Sequence, residues 1–115
     1  MCIRDSGSSV APAELARRYV RGPHVDACGP IFTRRGGYPD TPSITVSGAA
    51  DAKRRVAALV RDKHPQCIKV AIERGFDADL RDAGWPALNR DEILAIVAEA
   101  RRSRLTVRAL SLIHI

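Results

Sequence analysis

The sequence predicts an α/β chain built on a parallel sheet, either doubly wound or closed as a barrel. Three observations lead there. Segments of helix type and strand type alternate along most of the chain, and such alternation demands right-handed crossovers between parallel strands. One run, Cys67-Ile68-Lys69-Val70-Ala71-Ile72, is a short apolar stretch of strand type with a single lysine in its middle. No Gly-x-Gly-x-x-Gly fingerprint follows any strand, which weakens the dinucleotide-binding branch of this class.

Each element has its own signal. Pro12 to Val20 reads as a short helix, with Pro12 in the first turn and Leu15 and Tyr19 four apart on one face. Gly22-Pro23 ends it. His24 to Cys28 is a candidate strand with Val25 and Ala27 on one face, leading into Gly29-Pro30-Ile31-Phe32-Thr33. His24, beside a turn and without ligand spacing around it, reads as a surface residue. Arg34 to Ser43 is a loop broken by Gly36-Gly37, Pro39 and Pro42, and Ile44 to Val46 is too short to assign. Ser47 offers an N-cap for a helix from Ala49 to Lys63, whose Ala52, Val56, Leu59 and Val60 form one apolar stripe. His64-Pro65 stops that helix, with His64 as a cation near its last carbonyls.

The central strand follows, then a polar loop from Arg74 to Leu88 long enough to be functional. Its aspartates, Asp77, Asp79 and Asp82, read as turn formers, and Trp85 either packs the loop down or closes over a bound molecule. Asn89-Arg90-Asp91-Glu92 is a capping box, and Ile93, Ile96, Val97 and Ala100 give the next helix a buried face. Leu105 to Ala109 begins a further strand. In a barrel, the loops that follow strands carry the chemistry, and here those are Pro30 to Ser43 and Arg74 to Leu88.

Lys69 asks for a reason, because lysine is rarely buried without a partner. Strand alternation points it the same way as Cys67 and Ala71, opposite Ile68, Val70 and Ile72. Two explanations stand: an edge strand with Lys69 in solvent, or a neutral amine that adds carbon dioxide and becomes an anionic carbamate able to bridge two divalent metals. The paired glycines, Gly36 and Gly37, would let backbone approach a ligand, although one such pair is weak as a phosphate signature.

Composition narrows the partners. The 115 residues carry 19 Lys and Arg against 13 Asp and Glu, a net charge of +6. The basic residues are spread over several segments with few aromatics to stack bases, so solvated helix faces explain them better than nucleic acid does. No run approaches about 18 apolar residues, so no membrane span is expected. Cys28 and Cys67 have no metal-type spacing and are expected as separate reduced thiols, which favours a cytoplasmic setting. The oligomeric state is left open.

The two ends stand apart. Residues 1–6 back-translate to ATG TGT ATA AGA GAC AG and residues 110–115 to CTG TCT CTT ATA CAC AT, reverse complements that match a transposon end used in preparing sequencing libraries. Residues 1–6 and 110–115 are therefore expected to be adapter-derived, and residues 7–109 to be a slice of a larger protein.

Within that slice, Gly22-Pro23-His24-Val25, the run Cys28 to Pro39, Ile68-Lys69-Val70, Leu88 to Ala100 and Val107-Arg108-Ala109 together resemble the middle of a metal-dependent amidohydrolase of the imidazolonepropionase-like group. The resemblance implies a partial TIM (β/α)8 barrel, roughly strands 3 to 5 with their helices, whose strands fall near Val25, Ile68 and Thr106. It implies hydrolysis of a carbon–nitrogen bond in a small-molecule substrate by a metal-activated water, with one or two divalent ions, zinc expected. Lys69 matches the fourth-strand metal ligand, as a candidate carbamate; Gly36, Gly37 and Tyr38 are candidate substrate-binding residues. Tyr38 stands where many relatives carry histidine, so their substrate preference does not transfer. The fifth-strand histidine would follow Ala109, where Leu110 now stands. The slice alone is expected to bind no metal tightly, to hydrolyse nothing and to fold poorly. Two rival classes make different demands: a small basic nucleic-acid-binding module predicts affinity that falls steeply with salt, and a non-metal barrel enzyme predicts paired carboxylates on later strands.

Overall fold

Apolar runs and capping signals organise the chain into the predicted alternation. The computed structural model describes residues 2–5, 18, 24–38, 43–75 and 83–110. Its elements are β1 (Cys2–Asp5), β2 (His24–Ala27), β3 (Ile31–Arg34), β4 (Ser43–Val46), α1 (Ala49–Lys63), β5 (Cys67–Ala71), α2 (Arg90–Arg102) and β6 (Thr106–Leu110). A four-stranded sheet has the order β4-β3-β5-β6, and β1 pairs with β2; every one of these pairs is parallel. The proposed helix at Pro12 to Val20, apart from an exposed Arg18, lies outside the described residues, as do Asp77, Asp79 and Asp82.

The stretch from His24 to Thr33 becomes two strands. Pro30 has no N–H to give a ladder and Gly29 takes φ +77°, so the chain kinks between Ala27 and Ile31. Gln66 bridges the gap: its N–H donates to Ala27 O at 3.0 Å, and its side-chain Oε1 accepts from Ala27 N at 2.9 Å. Two expectations are corrected here. Ile31–Arg34 is strand, so the loop after it starts at Arg35, and the unassigned Ile44–Val46 segment is strand β4, paired with β3 in the register Ile31↔Ser43. The return between them, residues 35–42, is shorter than the crossover of about a dozen residues that parallel strands usually need.

The core lies between the sheet and the two helices. Phe32, Val46, Ile68 and Val70 from the strands meet Ala52, Val56 and Leu59 of α1 and Ile96 and Ala100 of α2. The predicted stripe of α1 faces it with Val60 at its margin, and that of α2 does so through Ile96 and Ala100 with Ile93 at the margin, while Val97 is only half-buried and lies outside this cluster. Helix α2 closes with a Schellman motif: Leu105 N–H reaches Ala100 O, Arg104 N–H reaches Arg101 O, and Arg104 takes the left-handed φ of 56°.

Helix α1 begins differently from expectation. The N-cap is Gly48, without a side-chain cap, and not Ser47. Two backbone donors at this end find carboxylates: Ser47 N–H donates to Asp51 Oδ2 in the first turn of α1 at 3.0 Å, and the N-cap Gly48 N–H donates to Glu92 Oε1 at 2.8 Å, across from α2. Desolvation raises the Asp51 pKa, but the Ser47 N–H and the Arg55 and Arg54 guanidiniums together outweigh it and hold the carboxyl below its ordinary 3.8. A depressed folded pKa means a stabilisation complete above the unfolded value and lost as pH falls through the folded one. The stability difference between the parent chain and Asp51→Asn is therefore expected at neutral pH and should vanish on acidification below 3.8, as paired urea titrations across that range would measure.

Candidate active-site face

Parallel pairing decides which way Lys69 points. Ile68 and Val70 enter the core beneath the helices, so Cys67, Lys69 and Ala71 take the opposite face, away from both α1 and α2. Strand β5 lies between β3 and β6, which overturns the edge-strand explanation of Lys69. The register sets Ile31 on one side of Lys69 and Arg108 on the other. Residues paired in a parallel ladder share a face, so two half-buried basic side chains sit next to each other there.

The expectation of separate thiols is corrected on the same face. Cys28 and Cys67 form a disulfide, with Cα atoms 4.4 Å apart and both residues fully buried. The kink at Cys28-Gly29-Pro30 sets Cys28 beside the start of β5, a proximity that 39 residues of separation conceal. The bond lies one inward-facing position before Lys69.

The loops after β3 and β5 interlock. Gly36 makes the turn at φ +75° and is exposed, while Gly37 fills a place no other residue could: a Cβ there would lie 2.3 Å from Pro86 O. Gly75, also at φ +75°, lies under the indole, where a Cβ would come within 2.7 Å of Trp85 Cε3. Trp85 N–H donates to Arg74 O, and Ala83 N–H to Gly75 O, both at 3.0 Å. Thr33 Oγ1 donates to Tyr38 O at 2.7 Å, and the Tyr38 and Trp85 rings stand 5.9 Å apart at 31°. Of the predicted substrate residues, Tyr38 thus meets the second loop, Gly37 accommodates protein backbone, and Gly36 faces outward. Arg108 carries no signal of its own in the sequence, because its place beside Lys69 depends on the register of β5 and β6.

Among the described residues, no group of three or more His, Cys, Asp or Glu could hold a metal ion. The described residues of this face therefore do not make up a whole metal centre. Of the basic residues weighed for a nucleic-acid reading, Lys53, Arg54, Arg55, Arg101 and Arg102 are exposed on the two helices. Several meet carboxylates on their own helix, as Arg55 does Asp51 and Arg102 does Glu99. No described helix is long and apolar enough to cross a membrane.

No protein-family model matches the chain, and no curated protein does. Solved structures do match it. An amidohydrolase aligns at 24% identity with a TM-score of 0.74, over 94% of this chain and 32% of its own. The ochratoxinase of A. niger aligns at 19% identity and 0.78, over 94% and 31%. A prolidase complexed with N-methylphosphonate-L-proline aligns at 21% and 0.76, over 94% and 31%. These likenesses establish the fold: parallel strands with their helices, as in part of an amidohydrolase barrel. The chain spans about a third of the length of these neighbours.

Proposed function

We propose that residues 7–109 are an internal section of a metal-dependent amidohydrolase that breaks a carbon–nitrogen bond in a small-molecule substrate. Amidohydrolase and prolidase neighbours of the same fold support that reaction class. The observation that carries it is Lys69, on a central strand, on the face away from α1 and α2, beside Arg108. Loss of a proton and addition of carbon dioxide, with release of a second proton, would turn the Lys69 amine into a carbamate whose negative charge attracts the neighbouring guanidinium. The carbamate oxygens are ligands that an ammonium cannot supply. One or two divalent ions, zinc in our reading, would lower the pKa of a bound water and polarise the scissile carbonyl. As a carbamate, Lys69 would supply a ligand to the ion and Arg108 would lie beside it; of the candidate substrate residues Gly36, Gly37 and Tyr38, it is Tyr38 that keeps a side chain at the strand ends for a substrate to meet.

The chain alone, spanning a third of such a barrel, is inactive in this reading. Residues 1–6 and 110–115 are adapter-derived. Sequencing the source DNA past Ala109 tests the proposal first: an amidohydrolase requires histidine within a residue or two, and a His-x-His upstream of Gly7. In the barrel so completed, Lys69→Ala should lower kcat/KM for a dipeptide-like amide by on the order of 10²-fold or more. Unchanged turnover in that variant, or flanking sequence without those histidines, would end the proposal.

A further inference from the structure

Resting on the hydrolase reading, we infer that Tyr38 and Trp85 together form the wall of a substrate subsite that takes an apolar ring. The two side chains come from different loops, yet both loops leave the sheet at the same end, after β3 and after β5. Continuing the register Ile31↔Lys69 places Thr33 level with Ala71, and Thr33 Oγ1 holds the Tyr38 carbonyl. The aromatic pair therefore stands beyond Lys69 in the strand direction, by about 7 Å or more at 3.3 Å per residue. In a barrel that is the mouth, where substrates enter.

Trp85 lies with one face against Gly75 and keeps 40% of its surface exposed, which leaves the other face open to a ligand ring. The close approaches of Gly37 to Pro86 and of Gly75 to the indole tie the two loops together, so less ordering of those loops is left for a ligand to impose. A rigid, half-open aromatic surface favours a flat or cyclic apolar group over a flexible chain, because ring faces stack offset with specific geometry. Tyr38 and Trp85 are specificity residues here; the reacting atoms lie deeper, towards Lys69.

Trp85 is the only tryptophan in the chain, so its indole N–H resonance reports on this place alone. Titration of the chain with N-acetyl-L-phenylalaninamide and N-acetyl-L-prolinamide should shift that resonance saturably, while N-acetylglycinamide at equal concentration should not. Tyr38→Leu should weaken ring binding by about 3- to 10-fold, and Tyr38→Phe should restore it. Equal responses to all three probes, or no response in a chain whose circular dichroism shows it folded, would overturn the inference. Should the chain not hold its fold alone, the same titration on the completed barrel decides, with Trp85→Phe as the blank. Neither metal nor turnover enters this readout. A ring response in a barrel that hydrolyses nothing would sink the proposed reaction and leave the subsite standing.

Discussion

Reduction of the Cys28–Cys67 bond is expected to lower the stability of the chain by about 4 kcal/mol, the entropy gained by an unfolded chain released from a closed loop of this size. The loop follows from the 39-residue separation, which sets two strands side by side that are distant in sequence. For a domain whose total stability is on the order of 5–15 kcal/mol, such a loss decides whether it folds. Urea unfolding with and without reductant measures the effect, and alkylation under denaturing conditions checks the bond. The chain has 3 cysteines in all, so one should label before reduction and three after it. Three labelled thiols in the unreduced protein, or superimposable unfolding curves, would reject the disulfide. Because Cys67 shares its face with Lys69, the bond also fixes the strand that carries the proposed ligand.

Glu92→Ala should be nearly as damaging, at about 3 kcal/mol. The Glu92 carboxylate is fully buried and accepts two backbone donors at 2.8 Å, Asn89 N–H through Oε2 and Gly48 N–H through Oε1. One bond completes the capping box of α2, and the other holds the start of α1, so a single side chain secures two helix N-termini. Hydrogen bonds to a charged group contribute about 1.5–3 kcal/mol each. Glu92→Gln separates charge from shape: its one carbonyl oxygen can keep one bond, while its amide would point a donor at the other N–H. The glutamine variant should therefore fall between parent and alanine in chemical unfolding. Equal stability of all three would mean that the bridge between the helices contributes nothing.

Local signals were legible wherever short-range physics decides the outcome. Asn89 and Glu92 lie three apart and announced their capping box, which forms with both reciprocal bonds. The apolar spacing of Ala52, Val56 and Leu59 marked the buried face of α1, and the parity of Ile68 and Val70 marked that of β5. Short strands were harder. Ser43–Val46 is strand because β3 offers it a ladder, and Gly48 serves as the N-cap because Glu92 reaches it from another helix. Neither fact exists until the elements meet.

The candidate site divides along the same line. Strand alternation and β-branched composition, properties of the chain within a few residues, determined that Lys69 opposes Ile68 and Val70 and that helices alternate with parallel strands. Tertiary structure alone decided that β5 is central, that Arg108 stands beside Lys69, that Cys28 bonds Cys67, and that Gly75 lies beneath Trp85. Those contacts join residues far apart in sequence, and only strand register and loop closure bring them within reach.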